Sequence, residues 1–322
     1  MRAFIVKKPG KASQLQLQNI EEPTPKKNEV VVRHTAIGIN HFDICFRNGA
    51  YKLSQTPAIL GLDACGIVES FGKDVKDYRV GERVAYATGP IGAYCEKRAV
   101  RQDYLVVPPK SLSDEQIVGS LLKGMMAHTL LFRVYTAARA KRILVHSAAG
   151  GVGHLLCQWA KHLGLQIIGT VGSDAKISIA KSFGCNAVIN YQKQDFVKKV
   201  EAITQGGGVG IVYDGVGKDT VNKSIDCIWP MGMCVSYGES SGATPPIGLN
   251  HLLLNSIYMT RPTLALYKAK RIELVLSANE VFKAVESGIL KPNTTTYKFE
   301  QIPQAHLDIE SRNTVGSLVI KL

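Results

Sequence analysis

Ile143 to Gly153 reads I-L-V-H-S-A-A-G-G-V-G, an apolar run that stops at small residues just before a helical pattern begins. A strand, turn and helix of this kind has a chemical use. Without side-chain bulk, the turn lets backbone N–H groups and a helix N-terminus approach a pyrophosphate. Ala148, Gly150 and Gly153 occupy the three G-x-G-x-x-G positions, with alanine in place of the first glycine. Gly150, Gly151 and Val152 are then the residues expected to meet the phosphates. Taken alone, the pattern is equally a way of turning the chain, so its meaning depends on the elements around it.

The next apolar run ends I-I-G-T-V-G-S-D-A-K, Ile167 to Lys176. An NAD site places a carboxylate at the end of this strand to accept hydrogen bonds from the ribose hydroxyls. Val171 stands there instead. Asp174, about twenty residues beyond Gly153, is the rival, but it is better placed to open the following helix, where its charge suits the N-terminal dipole. Gly172, Ser173 and Lys176 then form a small, polar, cationic pocket for a 2′-phosphate, and Tyr191, closing V-I-N-Y, can line it. NADPH is expected in preference to NADH. The plainer reading of Lys176 is an exposed helix lysine.

These residues need a scaffold, and 322 residues suffice for two domains. Met1 to about Val107 is strand-like, in short runs such as Glu29 to Arg33, Gly66 to Ser70 and Arg83 to Ala87 separated by Gly, Pro, Asn and Asp. Ser113 then caps an acidic first turn and an apolar helical segment. From Arg142 strand and helix alternate. Ile143 to His146, Gln166 to Val171, Ala187 to Asn190, Val209 to Tyr213, Met233 to Tyr237 and Ser256 to Thr260 predict six strands. The first intervening helix, Gly151 to Leu163, carries Leu155, Leu156, Trp159, Ala160 and Leu163 on one face. The predicted fold class is α/β. A β-rich domain spans 1–123, a doubly wound parallel sheet 124–290, and 291–322, after a helix from about Leu274 to Ser287, returns to the first domain.

Composition narrows the class. The chain is 45% hydrophobic and 20% charged, with no apolar run long enough for a membrane span or secretory signal, so a cytoplasmic protein with no membrane partner is expected. Seven cysteines, with no C-x-x-C pair, fit reduced core thiols rather than a disulfide framework or a clustered zinc site. The net charge of +13 could attract nucleic acid. Its lysines, however, are scattered in pairs without aromatic interleaving, which fits a solvated surface better.

Several further motifs fall in a familiar order: A-I-G-I-N (36 to 40), G-L-D-A-C-G-I-V (61 to 68), V-G-E-R-V (80 to 84), L-K-G-M (122 to 125), A-A-G-G-V-G (148 to 153), Q-W-A-K (158 to 161), V-Y-D-G-V-G (212 to 217), S-S-G-A (240 to 243), T-R-P (260 to 262) and E-S-R (310 to 312). The chain thereby resembles, over nearly its whole length, the quinone oxidoreductases, the zeta-crystallin-like branch of the medium-chain dehydrogenase/reductases. The resemblance implies a GroES-like substrate domain, a Rossmann domain, a cleft binding NADPH, and a homodimer in which the segment Tyr258 to Leu264 pairs across the interface. It also implies that Asn40 and Tyr51 sit at the inner end of the cleft as polarising donors, with Tyr51 able to pass a proton. Thr129, Gly215, Val216, Gly238 and Ser241 should line the cofactor, and Arg312 should reach it from the tail. Zinc-dependent relatives carry a cysteine where Asn40 stands and a histidine where Leu62 stands in Gly61-Leu62-Asp63. No metal is therefore expected.

Without a Lewis acid the acceptor must already be electrophilic. A quinone qualifies. Conjugated carbonyls, as in an enone or 2-enal reductase, are the enzymatic alternative, and a nucleotide-gated RNA-binding protein is the alternative of a different class. Cys45 and Met126 replace a tyrosine and a threonine common in the family and make the acceptor side less polar. No sequence neighbour is expected to activate Cys45.

Overall fold

The computed structural model describes residues 1–134 and 140–322. In chain order come β1 (Arg2–Val6), β2 (Leu15–Asn19), β3 (Glu29–Ile39), α1 (His41–Asn48), β4 (Ala58–Ile59), β5 (Ala64–Phe71), β6 (Arg83–Tyr86), β7 (Lys97–Arg101) and α2 (Asp114–Thr129). The middle of the chain supplies β8 (Arg142–Val145), α3 (Gly153–His162), β9 (Gln166–Val171), α4 (Ile177–Ser182), β10 (Ala187–Asn190), α5 (Phe196–Thr204), β11 (Val209–Asp214), α6 (Val221–Ile225), β12 (Ile228–Ser236), α7 (Leu249–Leu253), β13 (Tyr258–Thr260) and α8 (Leu264–Tyr267). The end adds α9 (Arg271–Glu286), β14 (Thr294–Lys298), α10 (Ile302–Glu310) and β15 (Ser317–Lys321).

Two compact units result, one of residues 1–122, 268–287 and 292–322, the other of 123–267 and 288–291. In the first, β14-β15-β3-β5-β6 form a sheet with β7 also on β3, and β2-β1-β4 form a second. Val30, Val32, Ile37 and Ile39 of β3 are buried with Phe4, Leu60, Val68, Val84 and Leu318 in one core. The sequence reading places the helix near 274–287 in the sheet domain. In the structure α9 groups with the first unit, where Arg271 donates to the carbonyls of Asp103 and Leu105 at 2.9 and 2.8 Å. In the same unit Arg47 of α1, 1% exposed, holds both carboxylate oxygens of Glu310 at the end of α10.

The second unit carries a fully parallel sheet in the order β10-β9-β8-β11-β12-β13. That order starts at β8 and grows outward on both sides, as in the expected doubly wound fold, and directs ligands to the carboxyl ends of the strands. Leu144, Ile168, Val212 and Cys234 pack against Phe196, Val221 and Ile225 on one face. Leu155, Leu156, Cys157 and Ala160 of α3 are likewise buried. All six predicted strands are present. β12 starts five residues earlier than expected because its register against β11 jumps between Val209/Ile228 and Ile211/Met233. Trp229, Pro230, Met231 (φ 60°) and Gly232 make the bulge that hides the start of this strand in the sequence. Asp114–Val134 has the length and mean hydropathy (1.3) of a membrane span, but 78% of that window is buried in the protein, which makes it a core helix.

Candidate active site

In the second unit the loops after four neighbouring strands hold most of the expected cofactor residues. β8 runs into His146 and Ser147, the latter at φ 55°, and Gly150 N–H then closes on the Ser147 carbonyl at 2.8 Å. A side chain at Gly153 would place its Cβ 2.1 Å from that carbonyl oxygen, so the turn requires glycine where α3 begins. The first glycine of the pattern is dispensable for a different reason. A Cβ on Gly169 of the adjacent strand would lie 2.8 Å from the Ala148 Cβ and 2.6 Å from Cys185 Sγ. The methyl group therefore sits on the turn, and the strand beneath leaves room for it. His154 Nδ1–H donates to the Gly150 carbonyl (3.0 Å), and burial pulls its pKa down to about 4, so it adds no charge beneath the glycine turn.

After β9, Gly172 is exposed and Ser173 and Lys176 are half-buried. Burial lowers the Lys176 pKa, which leaves a partly desolvated cation at this end of the sheet. A side chain on Gly172 would approach the Tyr191 hydroxyl to 3.7 Å, which brings Tyr191 to the same spot. Asp174 opens the short helical turn Asp174–Lys176 ahead of α4. Its two oxygens are taken by Asn190 Nδ2 at 2.6 Å and Lys193 Nζ at 2.5 Å. The carboxylate that could have signalled a ribose is committed to the protein.

The loops after β11 and β12 meet. Ser241 donates its hydroxyl to the Val216 carbonyl (2.7 Å) and its N–H to the same oxygen (2.8 Å), while Ser240 N–H reaches Gly215 O at 3.3 Å. Gly238 packs on Gly215, where a Cβ would come 2.8 Å from the Gly215 oxygen. The structure thus brings Gly215, Val216, Gly238 and Ser241 together. Thr129, at the end of α2, is fully buried, with its hydroxyl donated to the Met125 carbonyl at 2.8 Å. Arg312 belongs to the first unit, exposed just past α10 at φ 58°.

The acceptor-side candidates also lie in the first unit. Asn40 immediately precedes α1, and its buried amide is oriented by two carboxylates: Nδ2 donates to Asp63 Oδ1 at 2.6 Å and to Asp43 Oδ2 at 3.4 Å. Asp43 Oδ2 also accepts Asn40 N–H (2.8 Å) and the Tyr94 hydroxyl (3.0 Å). Asn40 Oδ1 is buried and, among the described residues, accepts no hydrogen bond. This revises the expected role: the donors of Asn40 are spent, and the atom it offers is an acceptor. Tyr51 joins an aromatic cluster with Phe42 and Phe46, ring centroids 5.3 and 5.8 Å away. The view of Cys45 changes too, because α1 places His41 one turn before it, with Nδ1 3.6 Å from Cys45 Sγ. Among the described residues no group of three or more His, Cys, Asp or Glu is placed to hold a metal ion.

Sequence reasoning missed Asp43, Asp63 and Asp214, the last of which accepts the N–H groups of Val216 and Gly217 at 2.9 Å. The i, i+3 spacing of Asn40 and Asp43 was a signal, given a helix there. Asp63, by contrast, pairs with Asn40 across 23 positions, which no local pattern shows.

Comparison with known proteins agrees with this architecture. Residues 26–152 match the alcohol dehydrogenase GroES-like domain, and residues 151–277 match the domain described as zinc-binding dehydrogenase. The chain is 40% identical over 319 residues to quinone oxidoreductase 1 of Escherichia coli, covering 97% of each. It is 37% identical over 326 residues to a 2-haloacrylate reductase of a Burkholderia species, covering 99% of this chain and 98% of the other. Among solved structures, the quinone oxidoreductase of Pseudomonas syringae matches with a TM-score of 0.97 at 38% identity, over 100% of this chain and 99% of that one. That of E. coli complexed with NADPH matches at 0.96 and 38%, over 100% of both chains. With this full-length similarity and both domains in place, the chain belongs to the quinone oxidoreductases of the medium-chain dehydrogenase/reductase superfamily.

Proposed function

We propose that this protein is an NADPH-dependent, zinc-independent quinone reductase. The observation that carries the cofactor assignment is the end of β9: Val171 in place of an acid, Asp174 tied to Asn190 and Lys193, and the half-buried Lys176 beside Gly172 and Tyr191. A 2′-phosphate would repay the desolvation of that lysine. Gly151 and Val152 offer backbone N–H groups to the pyrophosphate, Gly150, whose own N–H is held by Ser147, gives the phosphates room to approach, and Gly172, Ser173, Lys176 and Tyr191 take the 2′-phosphate end. Thr129, Gly215, Val216, Gly238 and Ser241 line the nicotinamide end, and Arg312 is the further cation that the family resemblance assigns to the cofactor. When bound, NADPH supplies a hydride to an electrophilic acceptor.

Asn40 Oδ1, buried and open to a donor, suits an amide N–H such as that of a nicotinamide carboxamide. Tyr51 is then the residue with a proton to give to the acceptor oxygen. An amide at Asn40 with both donors bound to carboxylates, and an apolar Leu62, are not zinc ligands. The acceptor is a small conjugated dicarbonyl, as for the E. coli relative by its name. The similarity to a 2-haloacrylate reductase favours conjugated alkenes, including enones and 2-enals, as the second reading.

A cytoplasmic homodimer fits the same reading. β13 is the edge of the parallel sheet, and the segment that leads into it carries Leu249, Leu253 and Leu254, which are 82%, 71% and 85% exposed. A second copy pairing there would cover both the edge and the leucines.

The test is NADPH and NADH oxidation against ortho- and para-quinones, enones, 2-enals and 2-haloacrylates, with metal content measured on the same sample. Highest kcat/KM for quinones with NADPH is expected. Oxidation of simple alcohols as the best activity, or activity that rises with bound zinc, would overturn the assignment.

A further inference from the structure

The backbone ladder that holds β9, β8 and β11 together ends just where the cofactor loops begin. Val145 pairs with Gly169 on one side and Tyr213 on the other, and His146 N–H closes on the Tyr213 carbonyl at 2.9 Å. The next layer is made of side chains. His146 Nδ1 lies 2.9 Å from Thr170 Oγ1, His146 Nε2 lies 2.9 Å from Ser224 Oγ, and Ser224 Oγ donates to Asp214 Oδ2 at 2.9 Å. The other carboxylate oxygen, Asp214 Oδ1, accepts the N–H groups of Val216 and Gly217 and the hydroxyl of Thr220, each at 2.9 Å. His146, Thr170, Asp214 and Ser224 are fully buried, and Phe196 stacks edge-on against the imidazole at 4.9 Å.

Chemistry fixes the direction of this chain. A carboxylate with four donors around it serves as an acceptor. Ser224 has one proton, and a charged acceptor binds it more strongly than the Thr220 carbonyl at 3.0 Å. Ser224 Oγ must then accept from His146 Nε2–H, which leaves Nδ1 to accept from Thr170. The neutral Nε2–H imidazole is the form that completes the chain, and burial, which lowers the His146 pKa, keeps it so.

Three members of the chain each adjoin a loop proposed above for the cofactor. His146 is followed by the glycine turn, Thr170 by Val171 and Gly172, and Asp214 by Gly215 and Val216. We infer that His146 is a positioning residue: through Thr170, Ser224 and Asp214 it locks the pyrophosphate, 2′-phosphate and nicotinamide loops into one frame, so that NADPH meets all three at once. The inference rests on the proposed cofactor reading and deepens it.

The test compares the parent protein with His146→Leu, His146→Gln and Ser224→Ala in steady-state assays with NADPH and 1,4-benzoquinone, well below each variant's melting temperature. His146→Leu should raise the KM for NADPH about tenfold while leaving that for the quinone unchanged, because the loops no longer share a frame. Ser224→Ala should shift the same constant in the same direction. His146→Gln, whose amide offers one donor and one acceptor, should recover most of the loss. A merely structural histidine would lower the melting temperature and the active fraction but leave both KM values alone, and that result would overturn the inference. If His146→Leu does not fold, Ser224→Ala decides, and an unchanged NADPH KM refutes the positioning role. A parent protein that fails to bind NADPH would instead refute the cofactor reading, so the two failures are separable.

Discussion

Replacing Lys176 by alanine separates the two nicotinamide cofactors. The side chain is half-buried and its pKa is lowered by burial, so it carries a charge that water solvates incompletely. A charge-assisted hydrogen bond is worth about 1.5 to 3 kcal/mol. Partial exposure puts Lys176 at the lower end, about 1.5 kcal/mol, which is about a tenfold loss of affinity. NADH lacks the 2′-phosphate and should lose nothing comparable. Gly172→Asp tests the same pocket from the opposite side: a new side chain there meets Tyr191 at ordinary contact distance, 3.7 Å, and its carboxylate would repel the phosphate while accepting ribose hydroxyls. The double variant should prefer NADH. The assay is kcat/KM for both cofactors at saturating quinone. Equal losses for NADPH and NADH in Lys176→Ala, or no loss for either, would refute the assignment of this lysine to the 2′-phosphate.

Three buried histidines make stability fall on mild acidification. His34 and His154 are pulled down to about 4 and His306 to about 3 by burial. Their folded pKa values lie below the unfolded value of about 6.5, so the unfolded chain binds more protons as pH drops through 6.5 towards 4. Each should cost about 2 kcal/mol by pH 5, before most carboxylates titrate. Urea midpoints measured at pH 7 and pH 5.5 should therefore differ, and identical midpoints would contradict the neutral, buried state. Glu310→Ala should destabilise by about 3 kcal/mol, because it leaves the Arg47 guanidinium buried and unpaired. Thermal unfolding of Glu310→Ala beside the Arg47→Met, Glu310→Leu pair checks this, since the pair should be the more stable of the two. Gly153→Ala should cost about 1 to 3 kcal/mol of overpacking and abolish detectable NADPH titration, as its Cβ would fall on a backbone oxygen that cannot step aside.

What local pattern could show, it showed. The parallel strands of the second unit were legible because each is a short apolar run bounded by glycine or polar turns, and the phosphate turn because small residues cannot be hidden. Where a strand is broken internally, as β12 is by Trp229 to Gly232, periodicity found the second half alone. α1 was lost among strand-like neighbours, and with it the one-turn spacing that joins His41 to Cys45 and Asn40 to Asp43. The least legible features were pairings between distant positions. Asn40 with Asp63, Arg47 with Glu310 and His146 with Asp214 through Ser224 depend on how sheets and helices stack. The orientation of the Asn40 amide, and so whether it gives or takes a hydrogen bond, followed from such a pairing.

Ala148 and Gly169 together hold one methyl group's worth of space between a turn and the strand below it. Their sizes are therefore a shared quantity, and the two positions should trade it as a unit. Gly169→Ala alone should clash, Ala148→Gly alone should leave a small void, and the double exchange should cost less than the sum of the single effects, the 2.6 Å approach to Cys185 Sγ being the part it does not relieve. Seen this way, the alanine in the phosphate turn is one half of a two-residue solution, and a glycine fingerprint scored one position at a time undervalues chains that solve the packing from the neighbouring strand.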